Sequence, residues 1–221
     1  MGFWESVYRY WSKLIFPSVL VTVEMVFFIV LIGFIFGFIL AVLLTIYGPT
    51  GLNYKKRLYA VLSFIINAVR SFPILILIVT LAPLTRLLIG TTIGTEAAIF
   101  PLSIAATAFT ARMLESNFIK VDPQLIEAAR SLGATDLQIV HRVILKESFP
   151  SIILVLTLTT VNYIAATTIA GAVGGGGLGA IALTYGYQSF NNTVLYMGVI
   201  LLLVLVCFVQ YAGEWLYKKL L

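Results

Sequence analysis

Charge is scarce in this chain: 10% of its 221 residues are Asp, Glu, Lys or Arg, against roughly 25% in an ordinary soluble domain. So few charges cannot keep a chain disordered or solvated. Its 14 basic and 9 acidic residues leave a net charge of +5, but the basic side chains are too scattered to track phosphates, so nucleic acid is excluded as a partner. Cysteine occurs once, at Cys207, and histidine once, at His141. One cysteine forms no intrachain disulfide, and the two together cannot build a cysteine or histidine metal site. No G-x-x-x-x-G-K-[ST] stretch is present, so no P-loop binds ATP here. Gly174, Gly176 and Gly179 match G-x-G-x-x-G, but without the strand and βαβ unit that would make it a dinucleotide site.

What is abundant is apolar. The hydrophobic fraction is 61% and mean hydropathy is +1.05. A membrane-spanning helix needs about 20 mostly apolar residues. Such runs lie near residues 26–46, 93–114, 149–173 and 193–211, with another inside 58–89. The expectation is an all-α integral membrane protein with five transmembrane helices. Positive charge sets its orientation. With the N-terminus outside and the C-terminus cytoplasmic, ten basic residues fall inside: Lys55, Lys56, Arg57, Arg112, Lys120, Arg130, Arg142, Lys146, Lys218 and Lys219. Only Arg9, Lys13 and Arg86 fall outside, with Arg70 unassigned. Residues 1–17 lack the layout of a secretory signal. Their Phe3, Trp4, Val7, Trp11, Leu14 and Ile15 recur at helical spacing, which predicts an amphipathic segment on the outer surface. Residues 18–221 form one transmembrane domain.

The longest cytoplasmic connection, 119–149, has helical punctuation. Asp122-Pro123 starts a helix, with Asp at the cap and Pro at the first turn. Leu125, Ile126, Ala128, Ala129 and Leu132 give it an apolar face. Gly133 stands where a left-handed residue ends a helix. Thr135 and Gln138 form a capping box that starts a second helix. A helix, a glycine bend and a helix on the cytoplasmic side make a docking surface for a cytoplasmic partner.

Glu127-Ala128-Ala129, three residues, Gly133, nine residues, then Val143 and Leu145 resembles the EAA loop of ABC importer permeases. Lys146 stands where that family usually has Pro. Arg70-Ser71-Phe72-Pro73 is similar to the family's Arg-Ser-x-Pro element. The stretches 90–102, 171–179 and 185–187 resemble the methionine-importer subgroup, as do five spans in about 220 residues.

The resemblance implies a type I ABC importer permease in the bacterial cytoplasmic (inner) membrane, a multi-pass subunit that is no enzyme itself. It implies a homodimer importing methionine, L- and D-. The partners are two cytoplasmic ABC ATPase subunits that bind ATP and Mg, an extracytoplasmic substrate-binding lipoprotein, and lipid. No cofactor is bound by this chain. Glu127, Ala128, Ala129, Arg130, Gly133, Ala134, Asp136 and Leu137 are expected at the ATPase contact. Arg70, Pro73, Thr160, Tyr163, Thr167, Gly174 and Gly177 are expected along the translocation pathway or its gate. The alternatives are a permease for another amino acid or small solute, and a membrane scaffold that docks a protein without transport.

The residues also admit plainer readings. Thr160, Tyr163 and Thr167 share a helix face, but a threonine often bonds back to its own helix. Gly33, Gly37 and Ala41 form a small-residue ridge that lets a helix approach closely, within the chain or in a dimer. Gly174–Gly179 reads as a re-entrant segment at the outer mouth, or as a plain turn.

Overall fold

The computed structural model describes residues 10–220. These residues form eight helices: α1 (Trp11–Tyr47), α2 (Lys56–Ser71), α3 (Ile74–Ile89), α4 (Thr95–Phe118), α5 (Pro123–Ser131), α6 (Asp136–Ala172), α7 (Gly177–Ile181, continued by π-type turns at Ala182–Gln188) and α8 (Asn192–Leu220). No strand occurs among the described residues.

The five expected spans appear as four long apolar helices, α1, α4, α6 and α8, and one bent pair. The pair is α2 and α3, whose axes differ by 109°. The break follows Asn67, Arg70 and Ser71. The cause is Pro73, which has no amide hydrogen to donate and forces the residue before it out of helical geometry. Its own backbone is extended, at φ −58° and ψ 134°.

The helices overrun the apolar windows. α6 has 37 residues, about 55 Å at 1.5 Å per residue, against about 30 Å of hydrocarbon. The second helix expected in the 119–149 connection is therefore not separate. It is the first part of α6, which widens into π-type turns at Val140–Ile144 and continues past Lys146 and Pro150. Residues 1–9 of the expected outer amphipathic segment lie outside the described residues. From Trp11 the chain is helical, with π-type turns at Trp11–Ile15 running unbroken into the rest of α1.

The described chain groups into two compact units. One holds the chain up to Leu31, Phe72–Ile104 and Thr160–Gln210; the other holds Ile32–Ser71, Ala105–Thr159 and the chain from Tyr211. Each is discontinuous in sequence because the long helices contribute one half to each.

The second unit is packed through small residues. A Cβ on Gly33 would sit 2.5 Å from Ala106 Cβ, and one on Gly37 would sit 2.8 Å from Thr110 Cβ. The ridge on α1 is thus a close approach to α4 within the chain. In lipid, where apolar burial drives little helix association, such contact is what dispersion can use. Leu62 and Val69 of α2 pack on a core of Leu44, Ile66, Ala108 and Ala111. Arg112 of α4 ion-pairs with Glu115 and donates from Nη1 to Tyr59 (3.4 Å) and from Nη2 to Ser63 (3.1 Å), both on α2.

Glu115 is nearly buried, at 5% exposure. Removing its cation should therefore be costly. For a fully buried pair the loss is about 3–5 kcal/mol, and the 26% exposure of the Arg112 side chain lowers that. Arg112→Ala should depress the melting temperature in detergent more than the double change Arg112→Ala/Glu115→Gln, which leaves no charge stranded. Equal depression in both would contradict this account.

Candidate functional site: the cytoplasmic elbow

The elbow between α5 and α6 is built by local rules. The Asp122 carboxylate accepts from the Gln124 amide at 2.9 Å, with Pro123 next in the first turn. At the other end the amide of Gly133 donates to the carbonyl of Arg130, and that of Ala134 donates to Ala129. This pair of bonds is a Schellman closure, which requires a left-handed residue after the cap. Gly133 supplies it at φ +79°. The capping box is complete: Thr135 N–H donates to Gln138 Oε1 (2.9 Å), and Gln138 N–H donates to Thr135 Oγ1 (3.4 Å).

Two further contacts fix the angle. Arg130 Nη2 donates to the Leu52 carbonyl at 2.9 Å and lies 3.7 Å from Asp136 Oδ1. One guanidinium thus ties α5 to the start of α6 and to the connection between α1 and α2. Beneath it, Ile126, Ala129 and Ala134 pack against a core that includes Phe118, Val121, Ile139, Val140 and Ile144.

The apolar face expected on α5 proves to be two faces. Ile126 and Ala129 point inward. Leu125, Ala128 and Leu132 point outward, with Leu132 89% exposed. Leu137, at the start of α6, is 71% exposed. Glu127, Arg130 and Gly133 are exposed beside them; Ala134 and Asp136 are half-buried. The structure brings all eight sequence-predicted contact residues to one elbow. Leu132, which periodicity placed on the apolar face without a role, is the most prominent side chain there.

Nothing lies within 4 Å of a Cβ added to Gly133, so a substitution there strains only the backbone. For a β-branched residue in the left-handed region that is at least about 1–2 kcal/mol. Gly133→Val should leave the protein folded yet displace the elbow. Its melting temperature in detergent should fall by a few degrees. An unchanged melting temperature would refute the strain assigned to this bend.

The residues predicted for the pathway fall elsewhere. Arg70 and Pro73 flank the break between α2 and α3, and both are exposed. Tyr163 and Thr167 are buried inside α6, and Thr167 Oγ1 donates to its own helix at the Ile164 carbonyl (2.7 Å); Thr160 is half-buried. Gly174 and Gly177 belong to an ordered turn. Gly94 N–H donates to the Gly174 carbonyl (2.9 Å), and Leu178 N–H donates to Thr22 Oγ1 (2.8 Å). Gly174, Gly176 and Gly177 all have positive φ, and a Cβ on Gly177 would lie 2.7 Å from Thr22 Oγ1. The glycine run is thus an ordered turn held against α1 through Thr22. Thr22 was not foreseen, because 156 residues separate it from the amide it caps.

A family model described as "binding-protein-dependent transport system inner membrane component" matches residues 48–221. The chain belongs to that family. A probable D-methionine transport system permease protein MetI from Vibrio cholerae is 40% identical over 208 residues, covering 94% of this chain and 92% of that protein. The methionine import system permease protein MetP of Bacillus subtilis is 39% identical over 160 residues, covering 72% of each. Among solved structures, the MetNI methionine ABC transporter in an inward-facing conformation matches with a TM-score of 0.92 at 38% identity, covering 94% of this chain and 96% of that one. An amino acid ABC transporter crystallised with histidines shares the fold at 21% identity and a TM-score of 0.80. The chain is accordingly an inner-membrane ABC importer permease of the type I fold.

Proposed function

We propose that this chain is the membrane subunit of a methionine importer, working as a homodimer on two ATPase subunits. The observation that carries this reading is the near full-length match to the solved MetNI methionine ABC transporter, together with an elbow shaped to be held from outside. Two Leu side chains standing free beside a rigid bend are poorly suited to water and well suited to a groove on another protein.

The work cycle follows from the chemistry available. The sequence carries no P-loop, so energy arrives through contacts. ATP and Mg are held by the partner subunits, and closure of those subunits draws the two elbows together. Because Arg130 and the Ile126–Ala129 face bind each elbow firmly to α6 and to the α1–α2 connection, its movement passes into the spans. The permease pair then alternates between inward- and outward-open states, a bistable interface biased by nucleotide. An extracytoplasmic lipoprotein delivers substrate to the outward-open form. Orientation rests on the charge asymmetry of the loops.

Reconstitution tests this. The chain, its ATPase and its binding protein in liposomes should import methionine only with ATP. A stable complex that hydrolyses ATP and imports other amino acids but not methionine would keep the class and reject the substrate. A folded pair that forms no complex would favour a scaffold.

A further inference from the structure

We infer that one face of α2 lines the substrate path and that Arg70 on it receives the substrate's carboxylate; this rests on the transporter reading above. α2 carries a polar stripe along its length. Lys56, Tyr59, Ser63, Asn67 and Arg70 recur every three or four residues, which places them on one side of the helix. A second side, Leu62, Ile66 and Val69, is packed into the protein. A third is apolar and open: Val61, Phe64 and Ile65 are 58, 74 and 53% exposed.

The upper part of the polar side is open as well. Asn67, Arg70 and Ser71 are exposed, and Ser63 is half-exposed. Their bonds run along the stripe, from Asn67 Nδ2 to Ser63 Oγ (3.5 Å) and from Ser71 Oγ to the Asn67 carbonyl (2.8 Å). At the lower end Arg112 joins the stripe through Ser63 and Tyr59. Among the described residues no carboxylate lies within ion-pair distance of Arg70. Arg70 is fourteen residues beyond Lys56, about 21 Å along the helix, too far to snorkel back to the interface that Lys56 marks. Amide, hydroxyl and guanidinium groups in a span face the interior of a bundle or a water-filled cavity, and such residues mark substrate paths. The open apolar side of the same helix takes lipid or protein; the polar side takes water. A guanidinium at the head of a water-lined track is matched by a carboxylate, which it can hold with two parallel hydrogen bonds. An amino acid carries that group and methionine's thioether does not need it, so the contact reads the common end of the substrate.

The test uses the full transporter in liposomes, in a Cys207→Ala parent whose ATP-driven methionine uptake checks the underlying reading separately. Asn67→Cys should react with a small cationic methanethiosulfonate in at least one of the nucleotide-free and vanadate-trapped states, while Val61→Cys and Ile65→Cys should not. Saturating methionine should slow the Asn67→Cys reaction, and methioninol, which lacks the carboxylate, should not. Arg70→Gln should raise the methionine needed for protection at least about tenfold, as expected for one lost charge-assisted pair. Arg70→Lys should retain part of it and guards against loss of fold. With a parent that imports, absence of labelling at Asn67→Cys in both states, or equal labelling at Val61→Cys, overturns the path assignment. Equal protection by methioninol, or protection unchanged by Arg70→Gln, overturns the role of Arg70.

Discussion

Changing Leu132 and Leu137 together to Asp should abolish ATP-driven uptake while leaving the permease folded. Both side chains stand clear of the protein, at 89 and 71% exposure, so the change empties no core and strands no charge within the chain. On the function proposed above, the same positions form the centre of the ATPase contact. Burying one Leu contributes about 1.5–3 kcal/mol, and few residues in an interface carry most of its energy. A carboxylate in each place would lose that contribution and add the desolvation of an unpaired charge. Two elbows in the proposed homodimer would double the effect. The variant should therefore elute from detergent as a normal permease but fail to co-purify with the ATPase, and its liposomes should show no ATP-dependent methionine uptake. A complex of ordinary stability would place the contact elsewhere on the loop. Leu125→Asp, on the same outer side but 43% exposed, should weaken the complex less.

The elbow was legible in the sequence because its rules are local. Asp122, Pro123, Gly133, Thr135 and Gln138 act on backbone groups within five residues of themselves, and each behaves as its residue type predicts. Span number was legible because apolar length is the signal. Span limits were not, since a helix continues past the membrane wherever its own hydrogen bonds are satisfied, as α6 does through 145–150. The break at Phe72-Pro73 did have a signal in Pro73 itself, but Pro83, Pro101 and Pro150 sit inside helices in the same chain. The difference is set by what surrounds each proline. Polar contacts over long separations left no trace at all. Arg112 reaches Tyr59 and Ser63 across 53 and 49 residues, and nothing near any of the three announces the others. Periodicity likewise marked Leu125, Ile126, Ala128, Ala129 and Leu132 as one apolar set. Only the packing beneath α5 divides them into an inner pair that holds the elbow and an outer group that offers it.

Gly33→Ala should be among the most damaging single-methyl additions in the protein, against the trend of helix propensity. In an exposed helix the change stabilises by about 1 kcal/mol. Here the new Cβ would lie 2.5 Å from Ala106 Cβ, closer than real Cβ atoms come, and 3.1 Å from the backbone carbon of Ala106, which is tight. α1 and α4 must then separate. Overpacking of this kind costs about 1–3 kcal/mol, and separation also loosens the neighbouring approach at Gly37, where Thr110 Cβ and the Thr107 carbonyl lie 2.8 and 2.9 Å from a built Cβ. A lower melting temperature and less folded protein recovered in detergent are expected. The double change Gly33→Ala/Ala106→Gly moves the methyl from one helix to the other and should recover most of the loss, a coupling of the size found between residues in direct contact. Additive losses in the double variant would mean that the two positions do not touch. Recovery would show that α1 and α4 are held at this spacing by the missing side chain itself, so that the ridge serves the fold of each subunit and leaves dimer formation to other surfaces.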